Sequence, residues 1–324
     1  MRIGQNPAKA IYEVAQPQKV TVALITYIPF LGGYYAHSLD VLKVCLDSLA
    51  ANTRAPYDLL IFDNASCPEV RAYLLAEHEA GRIRYLTLSE KNVGKAGAWN
   101  FIFGAAPGEY VAYADSDVYF YPGWLSALLR IAETFPNVGM VTGLPLLTRP
   151  EYSTATLEWA ERSAEVQVER GQLIPWMDFW RHTAPLGNSE AKARAFYAEN
   201  PAVRLTYNGV RAYAGAGHFQ FLAPKAALQA ALPLPTDRPM GNVRSLDVAI
   251  NAGGYLRLST PEWWVQHLGN TLEGWEGDAA PSKGAVLQGR HIPRKGGLWG
   301  LPPVRRALSW LHSKTFDLLY RAGK

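Results

Sequence analysis

The chain is 324 residues long, with 48% hydrophobic and 19% charged residues. These proportions are typical of a folded globular protein and exclude a largely disordered chain. The net charge of +4 is unevenly spread, because residues 281–324 carry nine Lys or Arg and one Asp while the rest of the chain is net acidic. The basic charge therefore belongs to the tail, and the main body does not have the composition of a nucleic-acid-binding protein.

Cysteine content and hydropathy favour a reduced, cytoplasmic protein. Of the two cysteines, Cys45 falls in a helical apolar pattern and Cys67 in a loop, so neither a disulfide framework nor a cysteine metal site is expected. The first residues lack the apolar core of a signal peptide. No apolar run in the sequence reaches the roughly 18 residues of a membrane-spanning helix.

The first 143 residues alternate between apolar runs and amphipathic stretches. Helical spacing follows the first run, with Ser38 as a plausible N-cap, and a second helix is expected from about Pro68 to Glu79. The apolar runs predict buried strands at Val20–Thr26, Tyr57–Phe62, Ile83–Leu88, Val111–Ala114 and Val138–Thr142. Strands separated by helices at this spacing predict an α/β protein with a doubly wound, mostly parallel sheet and flanking helices.

The fourth of these strands ends on two carboxylates, Asp115 and Asp117. In open α/β sheets, ligands bind at the carboxyl ends of the strands. Acidic side chains at the end of a buried strand are unfavourable unless a cation or hydrogen-bond donors compensate their charge. Hard oxygen ligands suit Mg²⁺ or Mn²⁺, often together with the phosphates of a substrate. Considered alone, the segment is equally compatible with a solvated turn, since Asp and Ser are ordinary turn residues.

Gly94 and Gly97 follow the third strand, with Lys95 between them. Their order and position do not match the dinucleotide-binding fingerprint. Glycine at this place can let the backbone approach a phosphate, and Lys95 can supply positive charge. The pattern therefore indicates a phosphate contact, although only weakly specific residues carry it.

The alternation breaks over residues 144–212, which indicates an insertion whose chemistry the sequence does not reveal. One helical stretch is expected inside it at Thr156–Arg170, and His182 is interpreted as a surface histidine. Strand character returns at Gly215–Ala223, and Pro224 is expected to open a helix.

Two further polar residues lie in the last part of this pattern. A helix over about residues 241–253 carries Asp247, which is expected near its N-terminal turn, where a carboxylate can simply stabilise the helix dipole. His267 ends a short apolar run, and a lone histidine in that place is usually polar surface. Position alone therefore assigns neither residue a chemical role.

Taken in order, these pieces resemble the inverting nucleotide-sugar glycosyltransferases of family 2, whose fold is called GT-A. The resemblance covers about Val20 to Asn270, and its specificity comes from the shared order and spacing of short motifs. The motifs are Thr26-Tyr27, Asp63-Asn64, Asn92-Val93-Gly94-Lys95, Asp115-Ser116-Asp117, Ser245-Leu246-Asp247 and His267-Leu268-Gly269-Asn270.

The resemblance implies a role for each matching residue. Asp117 would hold a divalent metal, Mn²⁺ or Mg²⁺, with His267 completing the metal site, and Asp247 would be the catalytic base. Asp115 would face the ribose or the sugar. The other residues implied to bind the nucleotide sugar are Thr26, Tyr27, Asp63 and Asn64 at the base, and Asn92, Gly94 and Lys95 beside the base and diphosphate.

The activity implied by the resemblance is metal-dependent transfer of one sugar, of the hexosyltransferase type, from a nucleoside-diphosphate sugar to an acceptor hydroxyl, with inversion. Displacing a nucleoside diphosphate needs neutralisation of the departing charge and a base for the acceptor proton. The breadth of the family mildly favours a UDP-sugar, and a glycan or a lipid-linked molecule is the expected acceptor. The Gln-x-x-Arg-Trp sequence of processive synthases does not occur, so a single addition fits better than polymerisation.

This chain departs from the family pattern at two places. Leu246 stands where the family often has Glu before the catalytic Asp, and residues 144–212 are longer than in minimal members. The expected organisation is therefore an N-terminal extension (1–19), a nucleotide-sugar-binding half (20–143), an acceptor-binding and catalytic half with its insertion (144–270), and a basic tail (271–324).

Three other classes stay open. A nucleotidyltransferase would need a glycine-rich basic loop after the first strand, whereas residues 28–35 carry no cation. A non-catalytic nucleotide-sugar-binding or scaffold protein of the same fold would tolerate loss of Asp247. A retaining transferase would differ in the stereochemistry of its product.

The tail contains a candidate amphipathic helix at Val304–Tyr320, preceded by the basic run Arg290–Lys295. Its apolar stripe and basic charge suit the surface of an anionic membrane, which would place the protein at the inner face of the membrane near a lipid-linked acceptor. Alternatively, the stripe packs on the body of the protein or on a second subunit.

Overall fold

A computed structural model describes residues 3–186, 188–240, 242–273 and 275. The described residues belong to one compact unit, Met1–Pro281. Within them the strands are β1 (Val20–Thr26), β2 (Tyr57–Asn64), β3 (Tyr85–Ser89), β4 (Tyr110–Asp115), β5 (Val118–Phe120), β6 (Val138–Thr142), β7 (Gln167–Gly171), β8 (Ala202–Tyr207), β9 (Val210–Ala214), β10 (Gln220–Pro224), β11 (Leu256–Ser259) and β12 (Val265–His267). The helices are α1 (Ser38–Asn52), α2 (Pro68–Glu79), α3 (Gly94–Ala105), α4 (Trp124–Thr134), α5 (Thr154–Arg162), α6 (Trp176–Thr183), α7 (Glu190–Glu199), α8 (Lys225–Ala230) and α9 (Val243–Ala252). The candidate tail helix Val304–Tyr320 lies outside the described residues.

Ten strands form one sheet in the order β3-β2-β1-β4-β10-β6-β11-β9-β8-β7. The first four run parallel to one another, as the strand–helix alternation predicts. β10 is antiparallel to both of its neighbours, β4 and β6, and β6 pairs parallel with β11. Only β10, β9 and β7 run against the other strands of this sheet, so the predicted mostly parallel arrangement is confirmed for the described part of the chain.

Helices cover both faces of the sheet, which confirms the doubly wound α/β class. The core on one face includes Leu42 and Leu49 of α1, Leu74 of α2 and Leu128 of α4. The core on the other face is aromatic, with Trp99 and Phe103 of α3 against Tyr113 of β4 and Phe221 of β10. Because both faces of β1 and β4 are buried, these strands are apolar along almost their whole length, and that pattern made them predictable.

The insertion at residues 144–212 extends the sheet instead of forming one long helix. The helix predicted over Thr156–Arg170 is wrong in its second half, since α5 ends at Arg162 and β7 begins at Gln167. β7 pairs with β8, and Arg204 donates to Glu169 across the pair at 3.0 and 2.7 Å. Such cross-strand pairing is a tertiary partner that the charge spacing of the sequence does not reveal.

A small second sheet, formed by β5 and β12, lies after the carboxyl end of β4. Phe120 pairs with Val265 and Val118 with His267 in antiparallel register. The turn between β4 and β5 consists of Ser116 and Asp117, so the Asp-Ser-Asp segment is held between two strands. In the part of the chain that is described, no helix is long and apolar enough to cross a membrane.

Candidate functional site

Asp63, at the end of β2, is fully buried beneath the carboxyl edge of the sheet. Its carboxylate accepts from Thr26 Oγ1 at 3.1 Å, from the Ser66 backbone N–H at 3.3 and 3.2 Å, and from Arg71 Nε at 3.1 Å. These donors compensate the buried charge. The hydrogen bonds of Thr26 and Asp63 show that both side chains hold the loop after β2. Their contacts with a nucleotide base stay predictions.

Next to this network, the loop after β1 presents several aromatic side chains. Tyr27 is 38% exposed, and Phe30 and Tyr34 are also exposed. Tyr35 stands edge-on to all three, with ring centroids 6.2, 5.4 and 5.1 Å away. Exposed rings of this kind offer apolar faces on which a base can stack, and the role of Tyr27 in binding a base stays a prediction.

The N-terminus of α3 is held by two asparagines. Asn64 Nδ2 donates to Asn92 Oδ1 at 2.9 Å, and Asn64 Oδ1 accepts from the Val93 N–H at 2.8 Å. Asn92 Oδ1 also accepts from the Gly94 N–H at 2.8 Å. Both predicted residues therefore shape the loop in which Gly94 and Lys95 lie.

Gly94 adopts a left-handed conformation, with φ of +73°. A Cβ at this position would lie 3.1 Å from Pro239 Cα and 3.2 Å from the Arg238 carbonyl oxygen. The Lys95 N–H donates to the Pro239 carbonyl at 3.1 Å. The close approach that Gly94 permits is thus made by the chain's own backbone at residues 238–239, and a phosphate contact at this glycine stays a prediction.

Lys95 reaches across to the end of β4. Its Nζ lies 2.5 Å from Asp115 Oδ1 and donates to Oδ2 at 2.7 Å, above the rings of Trp99 and Tyr113. The Tyr113 hydroxyl donates to the same carboxylate, and burial followed by the charge of Asp115 raises the Tyr113 pKa well above its ordinary value. The fold thus brings together Lys95 and Asp115, which are 20 residues apart in the sequence, and their predicted contacts with a nucleotide sugar stay predictions.

Asp117 and His267 form a second pair of side chains at the carboxyl edge of the sheet. Asp117 Oδ2 lies 3.2 Å from His267 Nε2. Pairing of β12 with β5, together with donation by the Leu268 N–H to the Asp117 carbonyl at 2.7 Å, fixes their distance. Burial lowers the His267 pKa, but the hydrogen bond and charge of Asp117 outweigh it, so the His267 pKa is raised overall.

The donor set of this pair fits a divalent cation. Asp117 Oδ1 and His267 Nδ1 are both buried, and neither has a hydrogen-bond partner among the described residues. A carboxylate oxygen and an imidazole nitrogen are ligands that Mn²⁺ accepts. Within the described ranges no cluster of three or more His, Cys, Asp or Glu side chains could hold a metal, so the remaining ligands would come from bound phosphate and water.

Asp247 lies deeper than predicted. It is the fifth residue of α9, outside the first turn, and only 4% of it is exposed, so the helix-dipole interpretation does not apply. Its Oδ1 accepts from Arg257 Nη2 at 2.5 Å, and its Oδ2 lies 3.4 Å from His218 Nδ1. Arg257 also donates to the carbonyls of Tyr152 and Ala216. Burial lowers the pKa of Arg257, and the charge of Asp247 opposes that effect.

The prediction that His182 is a surface histidine is wrong. Its ring lies 5.1 Å from the ring of Phe219, and Phe219 in turn contacts the His267 ring at 5.8 Å. Burial lowers the His182 pKa to about 4, so the ring is neutral at pH 7. The insertion therefore contributes a side chain to the same edge as Asp117.

His182, His218 and Arg257 are absent from the predicted set. The signal for His218 was the Gly215-Ala216-Gly217-His218 sequence, which was interpreted as strand although β10 begins only at Gln220. Gly215, at φ of +121°, allows an irregular approach to the sheet edge. The position of His218 at the sheet edge follows from the pairing of β10 with β4, which no local sequence pattern reveals.

Ligands of doubly wound α/β proteins bind at the carboxyl edge of the sheet. In this protein that edge carries the Lys95–Asp115 and Asp117–His267 pairs. Residues 34–183, a little under half of the chain, match the model of Glycosyl transferase family 2. This part of the chain is therefore similar to that family.

Individual proteins are more distantly similar. An uncharacterized glycosyltransferase from Nostoc sp. (strain PCC 7120) is 27% identical over 135 residues, which is 40% of this chain and 42% of that protein. The chain thus spans less than half the length of that relative. S. aureus TarS (residues 1–349) matches with a TM-score of 0.46 and 12% identity over 76% of this chain and 60% of TarS. The mannosyltransferase PcManGT from Pyrobaculum calidifontis, solved with GDP-Man and Mn²⁺, has a TM-score of 0.44 and 16% identity over 96% of this chain and 77% of its own.

Proposed function

We propose that the protein is a metal-dependent, inverting glycosyltransferase that moves one sugar from a nucleoside-diphosphate sugar to an acceptor hydroxyl. The observation that carries this proposal is the Asp117–His267 pair, in which Asp117 Oδ1 and His267 Nδ1 lack partners among the described residues. Asp117 belongs to the stretch that matches family 2. A buried carboxylate oxygen without a donor, such as Asp117 Oδ1, is unfavourable, and a cation bound together with a diphosphate would compensate it.

The donor would lie along the carboxyl edge from β2 to β4. Tyr27 would stack on the base, and the Asn64–Asn92 contact would hold the loop beside the base and diphosphate. The Lys95 Nζ would contribute positive charge, while Asp115 would orient the ribose or the sugar through its carboxylate. Asp117 and His267 would hold Mn²⁺ or Mg²⁺, which when bound neutralises charge on the departing phosphates.

The acceptor would approach from the side of α9 and the loop before β10. Asp247 lies there, with His218 Nδ1 3.4 Å from its Oδ2. As the catalytic base, Asp247 would accept the proton of the acceptor hydroxyl. Among the described residues of this edge we identify no second carboxylate placed as a nucleophile, which favours one displacement and therefore inversion. Retention of configuration in the product would contradict this part of the proposal.

Nucleotide binding tests the proposal most directly. Thermal unfolding should be measured with UDP, GDP and dTDP, each with and without Mn²⁺. A ligand at one hundred times its Kd adds about 2.7 kcal/mol of stability, so the correct nucleotide should raise the Tm and Mn²⁺ should enlarge that rise. The proposal is contradicted if none of the three nucleotides changes the Tm, either with or without Mn²⁺. The breadth of the family favours UDP, and GDP is included as a second nucleotide.

The products that the protein releases distinguish a transferase from a nucleotidyltransferase and from a non-catalytic binding protein. A transferase releases nucleoside diphosphate from its donor sugar, whereas a nucleotidyltransferase releases pyrophosphate from a nucleoside triphosphate. A non-catalytic binding protein would show the Tm response without release of either product. Phosphate-coupled assays with UDP-glucose, GDP-mannose and UTP separate these outcomes.

We also propose a peripheral membrane contact through the sequence Val304–Tyr320, which lies outside the described residues. Its basic, amphipathic sequence suits an anionic surface. Cosedimentation with anionic liposomes should be salt-sensitive and should disappear on truncation at Gly296. Equal recovery in the supernatant with and without liposomes would favour packing of the stripe on protein instead.

A further inference from the structure

The end of α6, in the insertion, lies over the carboxyl edge of the sheet. The His182 ring is 5.1 Å from the ring of Phe219, the residue directly before β10. The residue before His182 is Arg181, whose Cζ lies 5.5 Å from the ring centroid of Trp263. The insertion therefore brings a cation to the edge at which the candidate site lies.

Trp263 belongs to the segment that joins β11 to β12. The N–H of the next residue, Trp264, donates to the Gly143 carbonyl at 2.7 Å, and Gly143 directly follows β6. In the sheet β6 pairs with β11, the strand that bears the arginine partner of Asp247, while β10 separates β6 from β4. Arg181 and Trp263 are therefore on the side from which the acceptor is proposed to approach, and the proposed donor contacts lie at the end of β4 and beyond.

The guanidinium of Arg181 is accessible and has no acidic partner. It makes no ion pair or hydrogen bond with a residue that the structure describes, and none of its nitrogens is buried. Asp178, one turn earlier in α6, interacts with it electrostatically but does not pair with it. Stacking on Trp263 restrains the long side chain and leaves its N–H groups available to a ligand.

Trp263 adds a second donor without a partner. The residue is 9% exposed, and its indole Nε1 is buried with no hydrogen-bond partner among the described residues. Gln220 Oε1 accepts from the Gly143 N–H at 2.9 Å, which leaves the buried Gln220 Nε2 as a third such donor beside the end of β6. A guanidinium and an indole N–H can only donate, so they cannot satisfy each other. What this group of donors lacks is an acceptor, and an anionic oxygen supplies one.

We propose that Arg181 and Trp263 bind an oxyanion of the acceptor substrate, a phosphate or a carboxylate. This inference rests on the proposed transferase function and names the class of its acceptor, a molecule that carries such a group near the hydroxyl that receives the sugar. The guanidinium presents paired N–H groups that match two oxygens of a phosphate or carboxylate, and the indole N–H donates to one of these oxygens. Binding satisfies the buried Nε1 and holds the acceptor on the side of Asp247.

The indole N–H signal of Trp263 in ¹H–¹⁵N NMR tests this subsite with simple probes. The full chain is saturated with UDP or GDP, whichever raises the Tm, and with Mg²⁺, so that the donor site is occupied. It is then titrated with methyl phosphate, with acetate, and with NaCl at the same ionic strength. Trp263→Phe keeps an aromatic ring and identifies the signal by its loss. We expect a saturable downfield shift with at least one of the two oxyanions and none with NaCl. A response to methyl phosphate alone assigns a phosphorylated acceptor, and a response to acetate alone assigns a carboxylated one.

Substitutions of Arg181 test its part in this binding. Arg181→Met keeps an apolar chain over Trp263 but removes the charged donors, so the affinity for the responding anion should fall by at least about 10-fold. Arg181→Lys keeps the charge without the paired N–H groups and should give an intermediate affinity. The matched control is Arg194→Met, which removes another arginine of the insertion that lies over a tryptophan, with its Cζ 4.2 Å from the Trp176 ring centroid. This control should bind the anion as the wild type does.

Two results would overturn the proposal. In the first, the Trp263 signal responds to neither oxyanion, or responds equally in Arg181→Met. In the second, Arg181→Met weakens nucleotide binding, measured by thermal unfolding, which would assign Arg181 to the donor. A wild-type protein that binds nucleotide while its Trp263 signal stays constant keeps the proposed transferase function and loses only the oxyanion subsite. Absence of nucleotide binding in the wild-type protein would instead refute the proposed function.

Discussion

At the scale of single residues, the site is a series of paired charges at one edge of the sheet. Lys95 with Asp115, Asp117 with His267, and Asp247 with Arg257 each join side chains from different elements. In the first and third pairs the charge is balanced inside the protein. The second pair leaves an oxygen and a nitrogen without partners among the described residues, and the proposed metal site rests on these two atoms.

Removing the carboxylate of Asp117 should eliminate metal-enhanced nucleotide binding. Asp117→Ala takes away one proposed ligand and a buried, uncompensated oxygen, so the fold should stay intact. Calorimetric titration with UDP and GDP, with and without Mn²⁺, measures the difference. The control is Asp40→Ala on the surface of α1, which should bind as the wild type does. An Asp117→Ala variant whose affinity still rises with Mn²⁺ would show that the cation binds elsewhere.

Breaking the Asp247–Arg257 pair should destabilise the protein strongly. Arg257 is only 1% exposed, and Arg257→Met would leave the Asp247 carboxylate buried without its cation, at a cost of about 3–5 kcal/mol. Arg204→Met breaks an ion pair near the surface and should cost at most about 1 kcal/mol. Urea unfolding measures both values, and Arg257→Met/Asp247→Leu should recover part of the loss. Equal stability of the two single variants would contradict the burial argument.

The polar residues at strand ends were predictable because each follows an apolar run directly. That rule located Asp63, Asp115 and Asp117. Arg257 could not be found in this way, since it lies within the short strand β11 between apolar neighbours and its partner is ten residues earlier. A charge inside a buried strand becomes interpretable only when the structure shows what compensates it.

At the scale of elements, the loop over residues 233–240 is attached to α3. Asn100 donates to the Leu234 carbonyl at 2.9 Å and accepts from the Leu234 N–H at 2.8 Å. The Pro239 carbonyl accepts from the first turn of the same helix. The loop therefore covers the helix terminus that a phosphate contact would use. The glycines predicted that the backbone at Gly94 approaches a phosphate, and the sequence did not predict the approach of residues 238 and 239.

Gly94→Ala should loosen this attachment. The substitution forces a side chain into the left-handed region and within 3.2 Å of residues 238 and 239, so we expect a loss of about 1–3 kcal/mol. Gly104→Ala, in the same helix, meets nothing within 4 Å and should be neutral or stabilising by up to about 1 kcal/mol. Thermal unfolding of the two variants provides the comparison. Similar Tm values would indicate that the loop moves aside freely.

At the scale of the whole molecule, the sheet joins the two halves that the sequence separates at residue 143. β10 and β11 belong to the second half, yet they flank β6 of the first. Strand–helix alternation predicted that β1, β2, β3 and β4 run parallel, because most of them are joined to the next strand by one helix, but it did not predict their order in the sheet. The placement of β10 and the antiparallel edge β9-β8-β7 depend on pairings across many residues, which propensity and periodicity do not encode.

Stability of the whole protein should fall in mild acid partly because of His182. Its pKa is about 4 in the folded protein, against 6.5 ordinarily, so the unfolded chain binds more protons between these values. Stability is therefore lost as the pH falls from about 6.5 toward 4, by up to about 3 kcal/mol from this residue. His182→Gln should flatten that part of the pH profile of urea unfolding. If the pH profiles of unfolding free energy are parallel for His182→Gln and the wild type, protonation of His182 does not cause the loss of stability.

The position of β10 between β4 and β6 also determines the order of events during synthesis. Both outer strands are complete at residue 142, but the strand that joins them ends at residue 224. Ribosomes add about 5–20 residues per second, so for several seconds the nascent chain presents the unpaired edges of two apolar strands. Such edges pair readily with other chains. A ribosome-bound chain stalled soon after residue 142 should therefore be retained by chaperones that recognise exposed strands, and a chain stalled after β11 has emerged should be released from them.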